Sequence, residues 1–228
     1  MQYAGITAHL ICMKRVLIIS AIIGLTACVG VAVSQSDSHQ TAAAVDRGDL
    51  SRAVFAGGCF WCVEADFDKL DGVKETISGY TGGTLDNPTY KQVSKGGTGH
   101  YEAVEILYDP DIVSYETLVE YFLRHVDPTD PGGQFCDRGD SYRTAIFATD
   151  EEQARIAKDE IETVDNLRVL AYPIVTPVLK FDVFWPAETY HQDYYEKNPL
   201  RYRYYRASCG RDNRVEEVWS KVGDTLSH

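Results

Sequence analysis

The hexapeptide Gly57-Gly58-Cys59-Phe60-Trp61-Cys62 sets the strictest limits on how this chain can fold. It follows a short apolar run, Arg52-Ala53-Val54-Phe55-Ala56, and opens a segment in which Trp61, Ala65, Phe67 and Leu70 recur at helical spacing. That pattern predicts a strand, a tight turn and a helix, with Cys59 at the junction. Glycine has no Cβ, so the pair before the cysteine lets the backbone turn sharply. A thiol at a helix N-terminus feels the positive end of the peptide dipoles, which predicts a lowered pKa. Two large aromatic side chains directly afterwards offer walls for an apolar pocket beside the sulfur. The hexapeptide alone also allows a plain buried cysteine opening an ordinary helix.

Beyond this junction, strands are predicted over 73–80, 101–108, 142–148 and 174–179. Helices are predicted over 59–70, 114–125, 150–166, 187–196 and 214–222, with Ser114 and Asp150 at N-cap positions. Residues 127–140 are rich in Pro, Gly and Asp and read as a loop. The order β-α-β-β-α-β-α-β with short links implies an α+β fold. Its form is a two-layer ferredoxin-like sandwich with a mixed sheet and an irregular C-terminal extension. The folded domain is expected over 50–228.

Val16 to Val33 carries no charge and follows Lys14 and Arg15, the pattern of a secretory signal over residues 1–33. Leu25-Thr26-Ala27-Cys28 resembles the bacterial lipobox, whose cysteine is lipidated after cleavage. Three readings stay open: a lipoprotein anchored through Cys28, a cleaved soluble signal, and a retained membrane anchor, since the run is just long enough to span. Each places the folded part outside the cytoplasm, in the periplasm. Residues 34–49 are small and polar and read as a flexible tether. The net charge of −12 and the lack of any basic run argue against a nucleic-acid surface. The cysteines, Cys12, Cys28, Cys59, Cys62, Cys136 and Cys209, are not spaced as the framework of a small disulfide-rich domain.

Several other segments carry chemistry. Thr98-Gly99-His100-Tyr101-Glu102 places Glu102 at the start of a strand. A carboxyl buried there has a raised pKa and donates a proton near neutral pH, whereas one at an exposed strand edge does not. Gln134 to Arg143 gathers Cys136, Asp137 and Tyr142, although Asp137 also suits a turn cap. Asn87-Pro88-Thr89-Tyr90 is a turn ending in a tyrosine. His191 in Tyr190-His191-Gln192 is either a base or a packed ring.

Taken together, these segments resemble the A-type peptide methionine sulfoxide reductases. The resemblance rests on Gly58-Cys59-Phe60-Trp61, Ser78-Gly79-Tyr80-Thr81-Gly82-Gly83, Asn87-Pro88-Thr89-Tyr90 and Thr98-Gly99-His100-Tyr101-Glu102. It continues through Asp109-Pro110, Val126-Asp127-Pro128-Thr129-Asp130, Cys136-Asp137-Arg138-Gly139, Tyr142-Arg143 and Tyr190-His191-Gln192, and spans roughly residues 52–212. It implies repair of oxidised proteins by reduction of the S epimer of methionine sulfoxide, in proteins or free. Cys59 would be the nucleophile and Glu102 the proton donor. Tyr90, Tyr142 and Asp137 would hold the sulfoxide oxygen, and Phe60 and Trp61 the methyl group. A sulfenic acid on Cys59 would condense with a second thiol to a disulfide, which a thioredoxin-like dithiol reduces. The resemblance implies no metal and no bound organic cofactor; the chain is expected to be a monomer.

One position departs from the family, which has mostly Gly where this chain has Cys62, so Cys59 and Cys62 form a C-x-x-C. Cys209 ranks first as resolving thiol, since its distance from Cys59 fits a C-terminal resolving cysteine. Cys62 ranks second and Cys136 third. A thioredoxin-like oxidoreductase is the main rival, yet it would carry Trp before the first cysteine and leave an acid and two tyrosines without a task. A zinc module would need a second close Cys or His pair.

Overall fold

The computed structural model describes residues 49–221. The expected signal or anchor over 1–33, all but the last residue of the expected tether, and residues 222–228 lie outside them. A central six-stranded sheet runs in the order β7-β6-β1-β3-β2-β8. The strands are β1 (Ser51–Gly57), β2 (Val73–Thr81), β3 (Tyr101–Tyr108), β6 (Thr144–Ala148), β7 (Val178–Lys180) and β8 (Phe184–Pro186). The inner four, β6-β1-β3-β2, pair antiparallel in the order of a split β-α-β sandwich. β7 joins β6 in parallel and β8 joins β2 antiparallel, so the sheet is mixed, as expected. Between Gln134 and Asp137 a two-residue hairpin, β4 (Gly133–Gln134) with β5 (Asp137–Arg138), orders the predicted loop.

Alternation along the strands sends side chains to two faces. Phe55, Ile106 and Ile146 point to the face covered by α1 (Phe60–Phe67), α3 (Tyr115–Arg124) and α4 (Glu151–Asn166). Phe55 stacks on Phe122 at 4.8 Å and on Phe67 at 5.4 Å, joining strand to both helices. Val54, Ala56, Ala103 and Phe147 point the other way and are covered by Leu179, Phe181 and Phe184. Every residue of β3 is buried, which is what a central strand covered on both faces requires. The two predicted caps form: Ser114 accepts the Thr117 N–H and Asp150 the Gln153 N–H.

Three expectations shift. The strand predicted over 174–179 shrinks to β7, because Pro173 and Pro177 have no N–H to give a ladder. The helix predicted over 187–196 reduces to α5 (Tyr194–Lys197). Ahead of it, Gln192 uses both ends of its amide on β2: it accepts the Ser78 N–H and donates to the Ser78 carbonyl, each at 2.9 Å, pinning the segment flat. The C-terminal extension consists of helices, α6 (Pro199–Cys209) and α7 (Arg211–Trp219), the latter starting three residues earlier than its pattern suggests. A five-residue helix, α2 (Tyr90–Ser94), follows the Asn87-Pro88-Thr89 turn. No helix among the described residues is long and apolar enough to cross a membrane.

Phe122 is 1% exposed at the centre of this core. Phe122→Ala is expected to lower unfolding stability by about 3–5 kcal/mol. The check is a urea midpoint that falls with an unchanged m-value.

Candidate active site

The glycine pair works as the sequence suggests. Gly58 has φ +83°, and a Cβ there would sit 2.6 Å from the Gln134 Cβ, so the β4–β5 hairpin closes directly over the turn. Cys59 then stands as N-cap of α1 and is 6% exposed. Its side chain makes no capping bond to the first turn, and its thiol is pushed well above the ordinary value, by burial first and then by Cys62 and Glu102. The expected lowering at the helix end is therefore overridden by loss of water. Cys62, one turn on, is the thiol that is lowered. A hydrogen bond from Cys59 is the largest cause, and Arg211 and Arg206 add to it against the pull of burial.

Strand β3 delivers Glu102 opposite Tyr80 in the β2 register, 1% exposed. Its Oε2 accepts the Phe60 N–H at 3.2 Å, the first amide after the cysteine, while Oε1 is buried without a hydrogen-bond partner. Burial raises the carboxyl to about 8, and the nearby Asp137 charge adds to this against the Phe60 N–H. Of the two sequence readings, the structure contains the buried carboxyl and not the exposed strand-edge one.

Tyr90 on α2 and Tyr142, in a single 3-10 turn over Asp140–Tyr142, bring their hydroxyls into reach of each other beside Glu102. Burial, then the Glu102 charge, raises both phenols, so both stay protonated donors. Asp137 on β5 is also raised by burial and accepts the Tyr205 hydroxyl. Cys59, Phe60, Trp61, Tyr90, Glu102, Asp137 and Tyr142 thus converge on one site.

The two aromatics after the cysteine differ. Phe60 is 1% exposed, packed among Tyr80, Tyr90 and His191. Trp61 is half-buried, stacked on Tyr194 with ring centroids 3.7 Å apart, and its Nε1 donates to His191 Nδ1 at 3.0 Å. That bond occupies the His191 nitrogen a base would use, and burial lowers the pKa of the ring, so His191 is a neutral packed residue. Glu188 bridges the Tyr90 N–H and the Tyr80 hydroxyl, each at 3.0 Å, and fixes α2 against the sheet.

Sequence reasoning missed four contributors. Tyr205 of α6 hydrogen-bonds Asp137 and Cys59 and meets the Trp61 ring edge-on at 5.8 Å. Tyr194, Glu188 and Arg211 are the others. The available signal was Asn198-Pro199, a helix opening that sets Tyr202, Tyr205, Arg206 and Cys209 on one face. Cys209, ranked first as partner of Cys59, is joined instead to Cys136 in a disulfide, and Cys59 and Cys62 are free. Cys136, Asp137 and Cys209 are also the group of potential metal ligands among the described residues, but its two sulfurs are bonded to each other.

A family model described as peptide methionine sulfoxide reductase matches residues 51–222. Peptide methionine sulfoxide reductase MsrA 2 of Rhizobium meliloti is 56% identical over 167 residues, covering 73% of this chain and 82% of that protein. The MsrA/MsrB protein of Vibrio cholerae is 48% identical over 192 residues, covering 84% of this chain, which spans only 51% of that longer relative. Among solved structures, methionine sulfoxide reductase A of Corynebacterium diphtheriae superposes with a TM-score of 0.64 at 34% identity, covering 68% of this chain and 78% of that one. Mxr1 of Saccharomyces cerevisiae in reduced form gives 0.63 at 28%, covering 66% and 87%.

The Tyr205 hydroxyl acts on Cys59 in the direction that favours its thiolate. Tyr205→Phe is expected to move the pH midpoint of Cys59 alkylation upward, read by iodoacetamide labelling and peptide mapping. A midpoint that stays put would remove the hydroxyl from the thiol's environment.

Proposed function

The chain belongs to the peptide methionine sulfoxide reductase family, and on that premise we propose that Cys59 is the nucleophile that reduces the S epimer of methionine sulfoxide, free or within proteins. The chain is an oxidoreductase of the A type, and its family returns methionine sulfoxide to methionine. The sulfoxide methyl group packs against Phe60 and Trp61. Its oxygen sits among the Tyr90 and Tyr142 hydroxyls, Asp137 and Glu102. The observation that carries this assignment is Glu102, a fully buried carboxyl held neutral to about pH 8 beside the cysteine. A neutral acid there donates to the sulfoxide oxygen as Cys59 attacks sulfur, and without that proton the oxygen is a poor leaving group.

The hydrogen bond between the two thiols supplies the other half of the proton traffic. The Cys59 proton leaves along that bond as the attack begins. The products are methionine and a sulfenic acid on Cys59. Cys62 then resolves it: the new S–S bond forms, the S–O bond breaks, and the oxygen leaves as water. Its closeness to Cys59 and its freedom from other bonds support Cys62 over Cys209 for this step.

An external dithiol of the thioredoxin kind completes the cycle. We place the enzyme outside the cytoplasm, in the periplasm, as a monomeric domain that repairs oxidised proteins. The apolar run after Lys14 and Arg15 and the Cys28 tetrad support a leader or a lipid anchor.

The test uses reduced, desalted enzyme mixed with each epimer of a blocked methionine sulfoxide and no added reductant. Methionine is expected from the S epimer alone, and equal yields from both epimers would defeat the assignment. Because Glu102 must be protonated to act, the single-turnover rate is expected to fall as pH rises through about 8. Glu102→Gln should lose that limb and slow the step by about 10²-fold or more. An unchanged rate in that variant would take Glu102 out of the mechanism.

A further inference from the structure

One turn along α1 from Trp61 lies a second buried carboxyl, which the reduction step does not use. Glu64 is 0% exposed, and neither of its oxygens completes a hydrogen bond. The Ser78 hydroxyl of β2 beside it is equally buried and completes none either. Asp193, in the left-handed region at φ +52°, comes over the same corner from the segment ahead of α5. Burial is the first cause that raises the Glu64 carboxyl, and the Asp68 and Asp193 charges add to it. The nearby Asp193 N–H and Ser78 hydroxyl oppose this without overcoming it, so the group is pushed up to about 8. The other charged and titratable groups of the corner are already engaged. Lys197 of α5 pairs with Asp193 at 3.1 Å, and Asp68 accepts the Thr76 and Tyr195 hydroxyls, the latter shared with Glu196.

An anion at Glu64 would be a buried charge facing two carboxylates. Of the surfaces around it, α1 and β2 belong to the core. The irregular segment 187–193 is fastened through Ser78, whose backbone bonds the Gln192 amide and the Ala187 N–H, each at 2.9 Å. That segment is the part able to yield. It leads into Tyr194, stacked on Trp61, and carries His191, which accepts the Trp61 indole N–H. We propose that uncharged Glu64 is a positioning residue for the sulfoxide: it keeps 187–194 seated on α1 and β2, so that Tyr194 and His191 hold Trp61 as a wall for the methyl group, and its ionisation releases that wall. This rests on the reading above, in which the methyl group packs against Trp61.

The direction follows from the charge. Below about pH 8 Glu64 is neutral and the wall stands; above it the carboxylate forms and the wall loosens. Glu102 loses its proton over the same range but governs a different quantity. It donates to the sulfoxide oxygen, so its ionisation lowers the rate of the filled site. Glu64 touches neither the sulfoxide nor the reacting atoms, so its ionisation raises the concentration at which the site fills. The two carboxyls are therefore separable by readout.

Reduced, desalted full-length enzyme is mixed with increasing blocked methionine S-sulfoxide, and single turnovers give a limiting rate and a half-saturating concentration at each pH. In the wild type the half-saturating concentration is expected to rise about 2–10-fold as pH passes through about 8, the worth of one aromatic stack. Glu64→Gln keeps the shape of the neutral acid and cannot ionise, so it is expected to hold the low-pH value throughout. Glu102→Gln is expected to keep the rise. The Trp61 indole N–H resonance, identified by its loss in Trp61→Phe, should move upfield with the same midpoint in the wild type and Glu102→Gln but not in Glu64→Gln. Asp193→Asn removes a carboxylate that raises Glu64 and should move the midpoint downward, which decides the proposal where Glu64→Gln does not fold. A flat half-saturating concentration in the wild type, a rise that survives in Glu64→Gln, or an unmoved midpoint in Asp193→Asn would overturn the proposal and leave the reductase assignment intact. No methionine from the wild type at any pH would defeat that assignment instead.

Discussion

The buried guanidinium of Arg211 holds the site together. It is 2% exposed, donates to the Gly57 carbonyl at 3.0 Å and to the His125 carbonyl at 2.9 Å, and lies over the Phe135 ring at 4.8 Å. These groups belong to the end of β1, the end of α3 and the β4–β5 hairpin, the three segments that surround Cys59. A charge so far from water is tolerable only with compensation. Asp66 provides it from within α1, 3.7 Å away, and also binds Arg206 of α6 at 2.8 Å. The C-terminal helices are therefore fastened to the catalytic turn by an ion network, and the cysteine turn is shaped from behind by residues about 150 positions later in the chain.

The same loss of water has opposite effects on the two sides of this network. Toward Glu102, Tyr90, Tyr142 and Asp137 burial outweighs the groups that oppose it, Arg211 near Asp137 included, and every group is biased toward its neutral form. Toward Cys62, Arg206 and Arg211 stand near and the anion is favoured. The site is thus divided between a protonating wall and an anion-tolerating floor, with Cys59 at the boundary. A thiol that is reluctant to ionise in the resting enzyme resists stray alkylation and oxidation, since the thiolate is the reactive form.

Much of this was legible in the chain. Period-two and helical patterns located β1, β2, β3, α3 and α4 closely, because each buries one regular face. The Gly58-Cys59-Phe60-Trp61 junction placed Cys59 at a strand-to-helix turn through local geometry, and the family resemblance supplied the role expected of it. What escaped was set by distance along the chain. The pKa of Cys59 depends on how deeply α6 covers it, and no short window contains that information. The partner of Cys209 was missed for the same reason, since Cys136 lies 73 residues away and only the folded hairpin brings the two together. Around β7 the apolar run of 174–179 suggests a longer strand than the prolines, which lack N–H donors, allow. For 187–193, Gln192 replaced helix bonds with side-chain bonds to Ser78, a substitution that periodicity does not register.

Helix α6 presents Tyr202, Tyr205, Arg206 and Cys209 inward from a single stretch of uninterrupted helix. Each residue advances the helix by about 100°. One residue gained or lost between Tyr202 and Cys209 would turn the sulfur away from the hairpin while leaving the tyrosines in place, or the reverse. Descendants of this gene are not free to change length at Gly210 either, because Arg211 follows directly and is held against the Gly57 and His125 carbonyls. Within the helix they are confined to substitution, so the eleven residues from Pro199 to Cys209 must be inherited as a frame of fixed length.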